Sequence, residues 1–224
     1  MRKIAKFAVL TTAALGMLAA PTLAETLRLG TEGAYPPFNY IESDGKIAGF
    51  DVEIGLELCK RIGAECNVVA QDWDGIIPGL LANKYDFIIA SMFITKDRKK
   101  QVDFTDPYYL AAMTHVVPKG SDITEFTNDA LAGKVISGRI DLQVGDMLPM
   151  LDWTTKTEDG SGFELAGAPI TDPAFVGEGV GIALRQEDDA LRERLNAALK
   201  EIRADGTYKT INDKYFTVDV YTMK

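Results

Sequence analysis

Arg98 offers the clearest chemistry in this 224-residue chain. It follows an apolar run and precedes an aromatic, acidic turn, within SMFITKDRKKQVDFTDPYY (Ser91 to Tyr109). A guanidinium presents a planar fork of donors that matches a carboxylate bidentately, so one arginine where a strand gives way to a helix can orient a small acid. The neighbouring residues supply such a place. FIIAS (Phe87 to Ser91) reads as a buried strand, and Thr95 can cap a helix whose first turn holds Asp97 and Arg98. Taken alone, the same residues also describe a surface helix on which Arg98 pairs with Asp103 or Asp106.

The elements that must position this arginine alternate along the chain. LRLG (Leu27 to Gly30), a helix from Asp51 to Arg61, CNVVA (Cys66 to Ala70), a helix over Gly75 to Ala82 and then FIIAS predict an α/β fold with a mostly parallel sheet. Asp51 can cap the first helix, and Gly63 lies just past its end, where glycine accepts a left-handed turn. Ligands of such sheets sit outside the carboxyl ends of the strands, which places Glu32, Tyr35, Trp73 and the Ser91–Arg98 stretch at one edge. Further on, AAMTHVV and the glycine-rich GEGVG (Gly177 to Gly181) read as neighbouring crossovers of a hinge. Near the end, Asp188 can cap a helix with Leu191, Leu195, Ala198 and Ile202 on one face. A shorter helix carries Tyr208, Ile211 and Tyr215, and core packing is the reading for all of these apolar positions.

The first 24 residues, with a basic start, an apolar middle and small residues at Thr22 and Ala24, are built like a secretory signal peptide cleaved after Ala24. The alternative, a transmembrane anchor, has an apolar run short of the roughly 20 residues that span a bilayer. Losing Arg2, Lys3 and Lys6 without any acid makes the formal charge of −9 three units more negative. Such a balance repels phosphate backbones, so no nucleic acid is expected as a partner. Cys59 and Cys66 lie close together in a chain bound for an oxidising compartment and are expected to form a disulfide. Their spacing does not suit a zinc site, and His115, the single histidine, sits within the apolar MTHVV, where it reads as structural. No metal or other cofactor is expected.

ITKDR followed by DFTDPYY resembles the polar amino-acid-binding proteins of bacterial ABC importers, solute-binding family 3, in which a Ser/Thr segment, ITxxR and a DFSxPYY-like turn occur in this order. GTEGAYPPFNY, GKIAGFDVEIGLELCKR and QDWDGIIPGLLANKYD are similar to blocks of the same family, and most so to the branch that binds basic amino acids and opines. The resemblance implies a type II periplasmic-binding-protein fold, with lobe one from 25–112 and 177–224 and lobe two from 113–176, joined by a two-stranded hinge. It implies that Tyr35 and Trp73 sandwich the ligand's side chain and that Glu32 pairs with its distal charge. Ala90, Ser91 and Met92 offer a backbone carbonyl to the α-ammonium, Arg98 takes the α-carboxylate, and Asp146 pairs with the α-ammonium from lobe two. The implied partners are a small amino acid or opine and a membrane permease, with the protein itself periplasmic, monomeric and not an enzyme.

Two departures qualify this picture. Phe93 stands where many relatives carry a Ser or Thr hydroxyl that touches the α-amino group, which leaves room for a bulkier or substituted ligand. More drastically, LAGKV (Leu131 to Val135) runs almost directly into ISGRIDLQVGD (Ile136 to Asp146), where relatives insert a GVQxGTT-like turn, a helix and a strand. The shortfall near 135–136 is roughly 35 residues, about one βαβ unit. It removes a helix N-terminus that would cradle the ligand's carboxylate. Either lobe two is pared down or the chain binds poorly, as a sensor or a remnant. A third possibility, a dehydratase-type enzyme on the same scaffold, finds no paired acid and base.

Overall fold

The computed structural model describes residues 25–123 and 142–222. The expected signal peptide (1–24) and the junction at 135–136 lie outside the described residues.

The first half forms the strands and helices that its periodicity predicts. Strand β1 (Glu25–Thr31) leads to a small antiparallel sheet of β2 (Ala34–Tyr35), β3 (Asn39–Ile41) and β4 (Ile47–Ala48), then to helix α1 (Phe50–Arg61). Strand β5 (Ala64–Ala70), helix α2 (Trp73–Leu81), strand β6 (Phe87–Ile88) and strand β7 (Asp103–Phe104) follow. β1 pairs in parallel with β5 along its whole length, from Glu25 opposite Ala64 to Thr31 opposite Ala70, and also in parallel with β6. The predicted FIIAS strand therefore has only two residues in the ladder, and Ile89 adds one further bond, its N–H to the Gly30 carbonyl.

The main sheet is mixed rather than mostly parallel. Its order is β5, β1, β6, β11, β7, where β11 (Ala183–Leu184) comes from the returning chain and runs antiparallel to both neighbours. Alternation along the β6 segment fills both faces: Phe87 and Ile89 join one core with Leu29, Ile54 and Leu58, while Ile88, Ala90 and Met92 join another with Ile76 and Leu80. Gly55 lets α1 close onto β1, since a Cβ there would sit 2.3 Å from Leu29 Cδ1.

Asp51 does not cap α1. The N-cap is Gly49, and Asp51 lies inside the first turn with its carboxylate fully buried. It shares the inward stripe with Ile54, Gly55 and Leu58, three, four and seven residues on, and that spacing turns it toward the sheet. The predicted Arg98 helix is a single 3₁₀ turn, Arg98–Lys100, with Thr95 Oγ1 accepting from the Arg98 N–H at 3.3 Å.

Beyond Ala112 the described chain builds a second, wholly antiparallel sheet, ordered β10 (Phe163–Ile170), β8 (Met113–Pro118), β9 (Gln143–Asp146), against which helix α3 (Met147–Lys156) packs. A four-residue helix α4 (Pro173–Val176) leads back to the main sheet. The outgoing and returning chains are laced together there: the Val180 N–H donates to the Tyr109 carbonyl at 3.0 Å, and the Tyr108 N–H to the Val180 carbonyl at 2.8 Å. Helices α5 (Asp189–Ala204) and α6 (Thr207–Tyr215) then complete the first core, with Leu195, Ala198, Ile202, Tyr208 and Ile211 inward as expected. Asp188 precedes α5 but its side chain pairs with Arg185 instead of capping.

Cys59 and Cys66 are bonded, with Cα atoms 6.1 Å apart, and tie the last turn of α1 to β5. Replacing both by serine is expected to cost about 2–3 kcal/mol through the freed unfolded chain, a fall in Tm of roughly 5–10 °C. Calorimetric melting checks this, and an unchanged Tm would show that the link adds nothing.

Candidate functional site

The carboxyl ends of β1, β5 and β6 open onto a cavity of about 380 Å³. Glu32, Tyr35, Trp73, Ala90, Ser91, Phe93, Arg98 and Asp146 line it. Eight of the nine ligand-binding positions expected from sequence thus meet around one space. The ninth, Met92, does not: its side chain is buried in the second core and its carbonyl accepts the Gly181 N–H at 3.1 Å. The carbonyl expected to face a ligand from this position is thus engaged within the fold.

Each wall has a local cause. Trp73 is the first residue of α2, with two residues between it and the end of β5, so its half-buried indole stands at the sheet's edge. Tyr35 is on β2 and stacks on Phe38, with ring centroids 5.8 Å apart. Phe38 in turn stacks on Tyr109 at 5.0 Å. Asp146 ends β9, and its side chain makes no cap bond to α3 and accepts the Tyr35 hydroxyl instead. That bond joins the β10–β8–β9 sheet to the small β2–β3–β4 sheet beside the cavity. Ser91 has a left-handed backbone, φ 52°, rare for a non-glycine residue and costing on the order of 1–3 kcal/mol.

Arg98 is half-buried, its Nη1 donating to the Phe93 carbonyl at 2.9 Å and its guanidinium 5.2 Å from the Trp73 ring centroid. Among the described residues it has no ion-pair partner. Asp103, the acid that could have held it at the surface, pairs with Arg192 at 2.7 Å. Burial pulls the Arg98 guanidinium below its ordinary range, opposed only by Asp146. Glu32 is raised from the ordinary carboxylate range by burial, then by repulsion from Asp72 and Asp74. Asp146 is raised by burial, with the Tyr35 hydroxyl and Arg98 pulling the other way. The cavity therefore holds one unpaired guanidinium and two carboxylates that burial disfavours in charged form. That set suits a ligand with one anionic and more than one cationic group.

Asp72 and Asp74, which flank Trp73 and load Glu32, were not singled out by sequence reasoning. Their signal was their spacing around the aromatic in QDWDG. The second omission is the role of Asp51, whose oxygens accept from Asn39, Ser91 and Tyr108 directly behind the cavity lining.

A carboxyl raised in the folded state contributes stability that is present below its unfolded value and lost as pH rises through the folded one. For Asp146 the loss is therefore in force at neutral pH. Asp146→Asn keeps an acceptor for Tyr35 and is expected to raise the Tm of the ligand-free protein at pH 7.5 by about 2 °C, with a smaller gain at pH 4. A lower Tm at both pH values would contradict this.

The family model for bacterial extracellular solute-binding proteins, family 3, matches residues 27–218. An L-arginine-binding protein of Pseudomonas aeruginosa is 38% identical over 255 residues, covering 96% of this chain and 98% of the relative. Because that span exceeds the 224 residues here, part of the relative stands opposite gaps. Among solved structures, an ancestral arginine-binding protein bound to arginine superposes with a TM-score of 0.74 at 34% identity, over 87% of this chain and 100% of that one. A periplasmic His/Glu/Gln/Arg/opine family-binding protein from Silicibacter pomeroyi, in complex with lysine, gives 0.73 at 34% identity, over 87% and 98%. No helix among the described residues is long and apolar enough to cross a membrane. The fold is that of the type II periplasmic binding proteins, and the chain belongs to the bacterial extracellular solute-binding proteins, family 3.

Proposed function

We propose that this protein captures a basic L-amino acid or a related opine in the periplasm and delivers it to the permease of an ABC importer. The observation that carries this reading is the charge set of the cavity: Arg98, with no ion pair among the described residues, shares it with Glu32, Asp146, Tyr35 and Trp73. Arg98 takes the ligand's α-carboxylate, because a half-desolvated guanidinium gains most from a bidentate anion. The Ala90–Ser91 backbone and Asp146 receive the α-ammonium. Tyr35 and Trp73 flank the side chain, where cation–π attraction favours a guanidinium or ammonium group, and Glu32 meets its distal charge. The relatives named for arginine and the lysine-bound neighbour support this class of ligand. Phe93, with no hydroxyl to offer an α-amino group, leaves room for a substituted nitrogen, as in an opine.

We place the two lobes at 25–112 with 177–224 and at 113–176, so that the paired chains at Tyr109 and Val180 are the hinge. Closure then rests on contacts made better when the lobes meet, such as those of Asp146. The signal peptide is removed after Ala24, the mature protein acts as a monomer, and it turns nothing over. The gapped alignment with the arginine-binding relative supports a segment missing from this chain, and we place it in the second lobe near 135–136. With the opposing anion-binding turn gone, Arg98 carries the carboxylate alone, and affinity falls below that of full-length relatives.

Calorimetry on residues 25–224 with L-arginine, L-lysine, L-ornithine, L-histidine and octopine tests the reading. One or more of these is expected to bind, and Arg98→Ala to weaken that binding by roughly a hundredfold or more. Absence of heat and of thermal shift with all five would sink the basic-ligand assignment. Product release from a prephenate-like acid would instead favour an enzyme.

A further inference from the structure

Asp51 is a fully buried carboxylate with no cation to pair with among the described residues. Its Oδ1 accepts the Tyr108 hydroxyl at 2.6 Å, and its Oδ2 accepts Asn39 Nδ2 at 2.8 Å and Ser91 Oγ at 2.9 Å. These three neutral donors lead to different walls of the cavity. Asn39 Oδ1 accepts the Gly33 N–H at 2.8 Å, which fixes the turn between Glu32 and Tyr35. The Tyr108 hydroxyl accepts the Ser91 N–H at 3.1 Å, so Ser91 is held by backbone and side chain together in its left-handed bend. One carboxylate therefore ties the end of β1 to the end of β6.

We propose that Asp51, which does not line the cavity, is the positioning residue of the binding site: ionised, it locks these two walls together and favours a cationic group against the Ser91 bend. The inference rests on reading this cavity as the ligand site. A buried charge without a counter-ion strengthens attraction for a cation delivered next to it, because little water intervenes. By linkage, that ligand and the proton on Asp51 then compete.

The groups that face Asp51 leave it the titrating member. Tyr108 and Tyr109 come from the DFTDPYY turn, while Tyr35 on β2 and Tyr208 on α6 feel its charge, and all four are pushed up by burial and stay neutral below pH 8. Glu32 and Asp146 stand beyond Tyr35 and face the ligand directly. Burial pushes the Asp51 carboxyl up to about 6, with Tyr108, Asn39 and Ser91 pulling it down. Folding and binding then have opposite pH signs at this residue. The ligand-free fold gains stability as pH falls through 6, whereas a cation is held most tightly above it.

Three measurements on residues 25–224 test this, with L-arginine as probe. Asp51→Asn presents an amide to the Asn39 amide, and it is expected to weaken L-arginine binding at pH 7.5 by roughly tenfold or more. Part of the affinity change between pH 5 and 7.5 should vanish with it, the remainder belonging to Glu32 and Asp146. In the ligand-free protein the Gly33 and Ser91 amides should exchange faster in Asp51→Asn than in wild type. Tyr108→Phe keeps the carboxylate but removes a donor that favours its charged form, so the midpoint of the affinity–pH curve should move upward. Wild-type affinity and slope in Asp51→Asn, or unchanged exchange at Gly33 and Ser91, overturns the proposal. If Asp51→Asn does not fold, an unmoved midpoint in Tyr108→Phe overturns it. Should the wild type bind no L-arginine, the ligand assignment fails, and amide exchange alone decides whether Asp51 ties the walls.

Discussion

An arginine half removed from water, with no ion pair among the described residues, is the constraint around which the site is organised. Several charged groups on or packed against the main sheet pair off: Asp86 with Arg28 at 2.8 Å, Asp103 with Arg192 at 2.7 Å, and Glu57 with Arg61 at 2.7 Å. Arg98 is left with a backbone carbonyl and an aromatic face. Desolvating a cation without a paired anion is unfavourable, and the proposed ligand carboxylate would relieve that cost. The 3₁₀ turn, the Thr95 contact and the Phe93 carbonyl hold the guanidinium on the cavity wall.

The surrounding architecture sets that wall in register. Parallel pairing of β1 with β5 and β6 brings three strand ends to one edge, so residues about 70 apart in sequence, from Glu32 to Arg98, line the same space. The stack of Tyr35, Phe38 and Tyr109 carries the aromatic lining into the first core. The β10–β8–β9 sheet contributes Asp146, which reaches the small β2–β3–β4 sheet through the Tyr35 hydroxyl. A ligand ammonium that takes over Asp146 would replace a neutral donor by a charged one, a gain available only while the two sheets face each other.

Much of this was legible in the sequence because it depends on local order. Local pattern and caps gave α1, α2 and α5 to within a residue or two and the existence of α6, and the strand–helix alternation placed Glu32, Tyr35, Trp73 and Arg98 on one edge. The failures have long-range causes. β11 reverses the sheet's direction because the returning chain enters between β6 and β7, which no local pattern encodes. Met92 turns its side chain into the second core, and its carbonyl takes the Gly181 N–H of the returning chain, a partner 89 residues away. Asp51 looks like a helix cap in sequence, and only its position over Ile54, Gly55 and Leu58 marks it as inward. Its partners Asn39, Ser91 and Tyr108 are 12, 40 and 57 residues away.

The role of Arg98 separates cleanly from that of the rest of the cavity by comparing L-arginine with agmatine, the same guanidinium chain without the carboxylate. Thermal shift and calorimetry at pH 7.5 on residues 25–224 should show binding of L-arginine and a loss of roughly a hundredfold or more with agmatine. Equal binding of the two would contradict the account, because it would mean that the unpaired guanidinium of Arg98 is not what the ligand completes.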